Sequence, residues 1–397
     1  MIKVLKCASC LVATNQTISS YTINKIYTPS LLGINLAKTQ YNSRDRWIYD
    51  KPAVIKQVNK WAEHIPWVKP YYAVKSNPLP YLLDDIVNHK VASSPDFQVG
   101  LDVASAGETE LALRYTDLSN TIFTNPHTVL CEYSDDTQYQ LKVVDSLCEI
   151  KILHSQQQKA PILVRINSGI QSANINFDTK FGASNDEVYE IIYYAKRHGL
   201  LIRGISFHIG SGGDFSRKIA YQKAYHNALP FLDIIQKNWP NKLPMEPILN
   251  FGGGLLHDTD LGDALGWTKH LPFQMMAEPG RYFSEPSHHL VVQVIAVTPR
   301  GVFLDNGVYH ELNAFHRDHW TMPKLEYVFD GTTDKKVAEY RKVKVFGPTC
   351  DSYDTIGEQE LPININVGDK FLLPNMGAYT SAGTVNFNGI LGAAYTP

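Results

Sequence analysis

The sequence predicts an α/β protein: a parallel (β/α)8, TIM-like barrel followed by an all-β domain. Three observations carry this prediction. From Trp47 to about Ser284, eight short β-rich runs recur with helix-like stretches between them, in about the 250 residues such a barrel needs. The polar residues of these runs gather at or just past their carboxyl ends. After Ser284 the β-rich runs continue, but the long helical stretches stop.

The first run, Tyr71–Lys75, ends on a lysine followed at once by the turn residues Ser76-Asn77-Pro78. Lysine is rarely buried without a partner. At the end of a core strand it either snorkels to solvent or, with a lowered pKa, serves as a Schiff-base nucleophile. The runs Phe97–Ser105, Thr121–Asn125, Lys142–Ser146 and Ile162–Asn167 bring Asp102, Asn125, Asp145 and Arg165 to the same ends. Asp186–His198 then repeats apolar residues at helical spacing. Gly204–Ile209 carries His208 into His208-Ile209-Gly210-Ser211-Gly212, and Pro247–Gly254 ends in Gly252-Gly253-Gly254. Phe273–Gly280 closes the set with Glu278-Pro279-Gly280-Arg281. In a barrel all these ends converge on one face, where such folds place their active sites.

Beyond it, Leu290–Thr298, Gly301–Leu304, Lys342–Phe346 and Lys370–Leu373 read as strands of a second domain over residues 285–397. Residues 1–46 are too short to fold alone and are expected to complete that domain, leaving 47–284 for the barrel.

Composition narrows the function. A chain of 397 residues, 44% hydrophobic, can bury a large core. Its net charge of −2 and lack of a basic block exclude nucleic acid as an expected partner. No apolar run approaches a membrane span. The five cysteines, Cys7, Cys10, Cys131, Cys148 and Cys350, fit reduced intracellular thiols. Cys7 and Cys10 form a lone C-x-x-C with no second pair, so no metal site is expected. The first 44 residues contain no Asp or Glu, as in an organellar transit peptide or a short polar extension. The cytoplasm is the expected location.

The strand-end residues describe one chemistry. Three successive glycines let the backbone approach an anion and point N–H groups at it, and Arg281 supplies a charged partner for a phosphate. Lys75, that cradle and Glu278 together describe a site for pyridoxal 5′-phosphate (PLP). A carboxylate against the pyridine nitrogen keeps it protonated, so the ring accepts electrons from Cα. An arginine there would suit a racemase better.

These motifs resemble the fold-type III PLP-dependent decarboxylases, and within them the eukaryotic-type ornithine decarboxylases. The resemblance runs from Trp47 to Gly389. It rests on YAVKSN (72–77), LDVAS (101–105), TNPH (124–127), VDS (144–146), KFGA (180–183), SFHIGSG (206–212), FGGG (251–254), AEPGR (277–281), NGVY (306–309), FGPTCDSYD (346–354), NMGAYT (375–380) and FNG (387–389). It implies an alanine-racemase-like barrel in which Lys75 holds the cofactor, His208 stacks on its ring and Glu278 pairs with its nitrogen. By the same resemblance Ser211, Gly252, Gly253, Gly254, Gly280, Arg281 and Tyr379 hold the phosphate, while Asp102, Glu108 and Arg165 line the ring and lysine. Cys350 returns a proton to Cα, and Asp318 and Asp351, with Tyr309 and Phe387, bind the substrate. Cys350 and Asp351 come from a second subunit, which makes the expected enzyme a homodimer.

The expected reaction is decarboxylation of L-ornithine, with lysine or arginine as alternatives. A non-catalytic homologue that binds regulatory proteins is the competitor from another class. Three departures bear on substrate. His316 and Arg317 stand where the ornithine enzymes have an aliphatic residue and a tyrosine. Arg317 is read as solvent-facing, with competition for Asp318 as the alternative. His310-Glu311 replaces small residues, and the interval from Gly254 to Glu278 leaves room for only a brief helix.

Overall fold

The computed structural model describes residues 47–127, 139–239, 246–319, 322–330 and 332–393. Cys7, Cys10, Cys131 and the part expected of residues 1–46 lie outside them. The chain enters at β1 (Trp47–Tyr49), which pairs antiparallel with a strand of the second domain. Helix α1 (Lys51–His64) follows, capped where the Asp50 carboxylate accepts from Ala53 N at 3.0 Å, with Pro52 in its first turn.

Eight parallel strands then form a closed barrel: β2 (Val68–Ala73), β3 (Gly100–Val103), β4 (Thr121–Phe123), β5 (Leu141–Val144), β6 (Ile162–Arg165), β7 (Ile202–Ser206), β8 (Ile248–Asn250) and β9 (Gln274–Ala277). The barrel closes where Pro70 of β2 registers with Ala277 of β9. Each expected run holds one strand, but each strand ends two to four residues earlier than predicted. The polar residues that closed each run belong to the loops that follow the strands.

Helices α2 (Pro80–Val87), α3 (Ala106–Ala112), α4 (Leu147–Ser155), α5 (Asn185–His198), α6 (Arg217–Asn238), α7 (Leu261–Leu265) and α8 (Arg281–Ser284) alternate with the strands. The expected helix at 186–198 is α5, set by a capping box between Ser184 and Glu187 and stopped by Gly199 at φ 74°. The short interval before Glu278 does hold only a brief helix, the five-residue α7.

The second domain is one sheet of β10 (His288–Thr298), β11 (Gly301–Leu304), β12 (Tyr327–Phe329), β13 (Asp334–Lys336), β14 (Tyr340–Phe346), β15 (Thr355–Pro362) and β16 (Lys370–Leu373). The order is β13-β12-β16-β10-β11-β14-β15, with β1 added against β10. Strands β12, β13 and β15 were not expected. The first two are three residues long, and β15 carries Glu358 and Glu360 on its exposed side, which masks its alternation. Among the described residues, no helix is long and apolar enough to cross a membrane.

One interaction locks the helix layer to the barrel closure. Trp61 of α1 is fully buried, donates from Nε1 to Val68 O at 2.7 Å, and packs against Tyr282 and Phe283. Trp61→Ala should therefore lower stability by about 3–5 kcal/mol, the usual range for a large aromatic removed from a core. A urea titration showing a loss below ~1 kcal/mol would contradict this.

Candidate active site

Register places the polar groups before any side chain is considered. Ala73 of β2 lies beside Asp102 of β3, and Asp102 beside Ile122 of β4. Residues two apart on a strand share a face, so Lys75 and Thr124, each two residues further on, flank Asp102. Lys75 Nζ meets Asp102 Oδ2 at 2.6 Å, and Thr124 Oγ1 donates to Asp102 Oδ1 at 2.5 Å. Asp102 is fully buried, so its hydrogen bonds are what make its burial tolerable. The same logic joins the last strands. Asn250 ends β8 beside Met276, and its Nδ2 donates to Glu278 Oε1 at 2.7 Å.

Lys75 itself is not on β2. It sits in the tight turn Val74–Ser76, whose carbonyl at Ser76 accepts from Tyr379 N at 2.7 Å. Asn77 Nδ2 donates to Gly377 O at 2.8 Å, and the Ser76 and Ser284 hydroxyls are hydrogen-bonded at 2.6 Å. The loop from β16 thus clamps the lysine turn and brings Tyr379 to it.

The residues meet in a cavity of about 510 Å³, lined by Lys75, Arg165, His208, Ser211, Gly253, Gly254, Glu278, Gly280, Arg281, Arg317, Asp318 and Tyr379. This is the size of a cofactor site. Glu108 stands behind it, accepting from Ala104 N at 2.7 Å. Asp102 stands beneath Lys75.

The electrostatics are mixed by design of the barrel mouth. Burial pulls the Lys75 ammonium down, but Asp102, Tyr379 and Glu278 outweigh it and hold it above the ordinary lysine value. The lowered value that one of the two sequence readings of this lysine required is not what these neighbours give it. Burial, aided by Asp102, pushes the Glu278 carboxyl up to about 7, against Lys75 and Arg165. Burial and then Arg165 and Lys75 hold His208 well below its usual value, so it is neutral. Its Nδ1 accepts from Gly210 N at 3.0 Å.

Three residues with roles here were not singled out from sequence: Thr124, Asn250 and Phe177. Phe177 packs edge-on against His208 with ring centres 4.6 Å apart and sits in a loop without periodicity. Asn250 did leave a signal, a lone amide closing the apolar run Ile248-Leu249. Arg317 requires a correction. It does not face solvent alone: it borders the cavity and donates from Nε to Asp318 Oδ1 at 2.9 Å. The preceding helix turn, α9 (Ala314–Arg317), ends there and aims it inward. Glu311 is buried and accepts from Ala393 N at 2.9 Å, away from the cavity.

The comparisons with known proteins agree with this geometry. Residues 51–285 match the model described as pyridoxal-dependent decarboxylase, pyridoxal binding domain, and residues 214–377 match the C-terminal sheet domain of the same enzymes. The chain belongs to the pyridoxal-dependent decarboxylase family. Ornithine decarboxylase of Candida albicans is 28% identical, over 87% of this chain and 80% of that one. Lysine/ornithine decarboxylase of Selenomonas ruminantium is 30% identical, over 82% of each. The arginine decarboxylase of Paramecium bursaria Chlorella virus superposes with a TM-score of 0.80 at 25% identity, covering 93% of this chain and all of that one. This decarboxylase is thus a PLP-dependent carboxy-lyase acting on a basic amino acid.

The residues present fit that cofactor. Arg281 Nε is buried with no hydrogen-bond partner among the described residues, which a phosphate oxygen would supply. At Gly253 a Cβ would stand 2.7 Å from His208 Nε2, so a side chain there would collide with the imidazole that lines the cavity. Among the described residues no group of three or more His, Cys, Asp or Glu could hold a metal.

The Glu278 shift gives a pH prediction. A raised carboxyl keeps its proton in the folded protein where the unfolded chain has released it, so stability falls as pH rises. Relative to Glu278→Gln, the cofactor-free decarboxylase should lose stability between about pH 4.5 and 7 and run parallel outside that window. Thermal midpoints of both proteins across pH 4–9 check this, and parallel curves throughout would contradict it.

Proposed function

We propose that the protein converts L-ornithine to putrescine and carbon dioxide as a homodimer with two shared sites. The observation that carries the reading is the split of the acidic and thiol groups. Asp318 borders the cavity, whereas the exposed Cys350 and the half-buried Asp351 lie in the second domain and do not line it. There Tyr309 stacks on Phe387 at 4.3 Å, the Tyr309 hydroxyl donates to Asp351, and Cys350 N donates to Asn388 Oδ1 at 2.9 Å. This ordered patch holds a thiol and a carboxylate with no role in its own chain's cavity. A two-fold partner presenting the same patch would complete the site. The ornithine decarboxylases among the relatives support the choice of substrate.

When bound, PLP supplies an electron sink for the pair left on Cα as carbon dioxide departs. Lys75 Nζ would anchor it, with Asp102 accepting a hydrogen bond from the amine and orienting it. Glu278 would hold a proton at the ring nitrogen, its own value near neutrality leaving it able to share one. Arg165, packed on Phe181 at 4.8 Å, balances the two carboxylates. Neutral His208, steadied by Phe177, offers a flat face to the ring. Ser211, the Gly252–Gly254 turn, Gly280, Arg281 and Tyr379 would hold the phosphate. Cys350 of the partner would return a proton to Cα, and Asp351 of the partner would face the distal ammonium.

The presence of Lys75, Glu278 and Arg281 in one cavity favours catalysis over a purely regulatory homologue. Carbon dioxide release from L-ornithine, L-lysine and L-arginine should give the highest kcat/KM for ornithine. A preference for arginine would replace that assignment. Lys75→Ala and Cys350→Ala, each inactive alone, should regain activity when mixed and re-assembled. No regain would rule out shared sites.

A further inference from the structure

Asp318 shares the cavity wall with one other acidic group, Glu278, and its oxygens are already engaged. Arg281 Nη2 donates to Oδ2 at 2.6 Å, Arg317 Nε donates to Oδ1 at 2.9 Å, and Arg317 Nη2 approaches Oδ2 at 3.4 Å. The carboxylate is 8% exposed, Arg281 13% and Arg317 40%. Both guanidinium groups also lie against the Tyr379 ring, at 5.2 and 5.3 Å. Arg281 has a second task, because its buried Nε is left for the cofactor phosphate. Arg317 is the more exposed of the two, and a Cβ at Gly383 would stand 3.3 Å from its Nη1, a tight contact that glycine avoids.

A carboxylate that receives a substrate's distal cation must offer it a free lone pair and an uncompensated charge. At Asp318 two guanidinium groups already donate three hydrogen bonds and compensate the charge, and Arg317 is the more exposed of the two. We propose that Arg317 determines specificity here: it is an internal cation seated on Asp318 that a substrate's distal ammonium must displace. This rests on the reading of the protein as a basic-amino-acid decarboxylase. A diamino acid whose distal nitrogen reaches Asp318 meets a guanidinium of like charge first. Its apparent affinity is then set by exchange between two cations and not by a single new ion pair. The chemistry step is carried by other groups, Lys75 and Glu278, and is untouched.

The test uses PLP-loaded wild type, Arg317→Ala and Arg317→Lys, with steady-state kinetics on L-ornithine and the PLP dissociation constant measured by cofactor fluorescence. Arg317→Ala should lower KM by roughly three- to tenfold, as for loss of a partly exposed competing ion pair, with kcat and PLP affinity unchanged. Arg317→Lys keeps the charge but loses the fork and should fall between. A KM that is unchanged or raised overturns the inference. Weakened PLP binding in Arg317→Ala also overturns it, because Arg317 would then serve the phosphate. If wild type releases no carbon dioxide from any basic amino acid, the functional reading itself fails, and the inference with it. Release that is indifferent to Arg317 removes the inference alone.

Discussion

The pairing of the first and last barrel strands is the constraint on which the site depends. With Pro70 of β2 registered against Ala277 of β9, Lys75 and Glu278 line one cavity although they lie at opposite ends of the barrel's sequence. Parallel strands all leave from the same rim, so Asp102, Arg165 and His208 arrive at that rim too. An open sheet of the same strands would hold the lysine and the glutamate apart at its two edges. Closure turns eight local strand endings into one cavity.

Inside the cavity the charges regulate one another. Lys75 and Arg165 stand against Asp102 and Glu278, and each group's behaviour follows from that set. Asp102 is the fixed point because it is buried and held by hydrogen bonds from Lys75 and Thr124. It keeps Lys75 charged and pushes Glu278 toward neutrality. The second domain adds what the barrel lacks. Its loop at Asn375–Tyr379 clamps the lysine turn, and its α9 turn delivers Asp318 with Arg317 beside it. The domains are therefore coupled through the backbone of the Lys75 turn.

Much of this was legible in the sequence because it rests on local patterns. The eight β-rich runs and their polar ends are such patterns, as are the glycine triplet and the brief helix before Glu278. Strand ends were overextended because a polar loop residue after an apolar run looks the same as a strand residue until its hydrogen bonds are seen. The raised Lys75 ammonium was not legible, because it depends on Asp102, Tyr379 and Glu278 meeting in space. Arg317 was misplaced for a similar reason: its direction is set by Asp318 and Tyr379, and no periodicity marks a four-residue helix turn. Phe177 and Thr124 act only through neighbours that the fold supplies.

The central claim is that this closure builds a PLP site around Lys75. Borohydride reduction of the PLP-treated protein, followed by peptide mass mapping, tests it most directly. Reduction would fix the cofactor to whichever amine carries it. The account predicts the cofactor mass on the peptide holding Lys75 and its absence there in Lys75→Ala. Labelling of another lysine, or none in the wild type under saturating PLP, would contradict it.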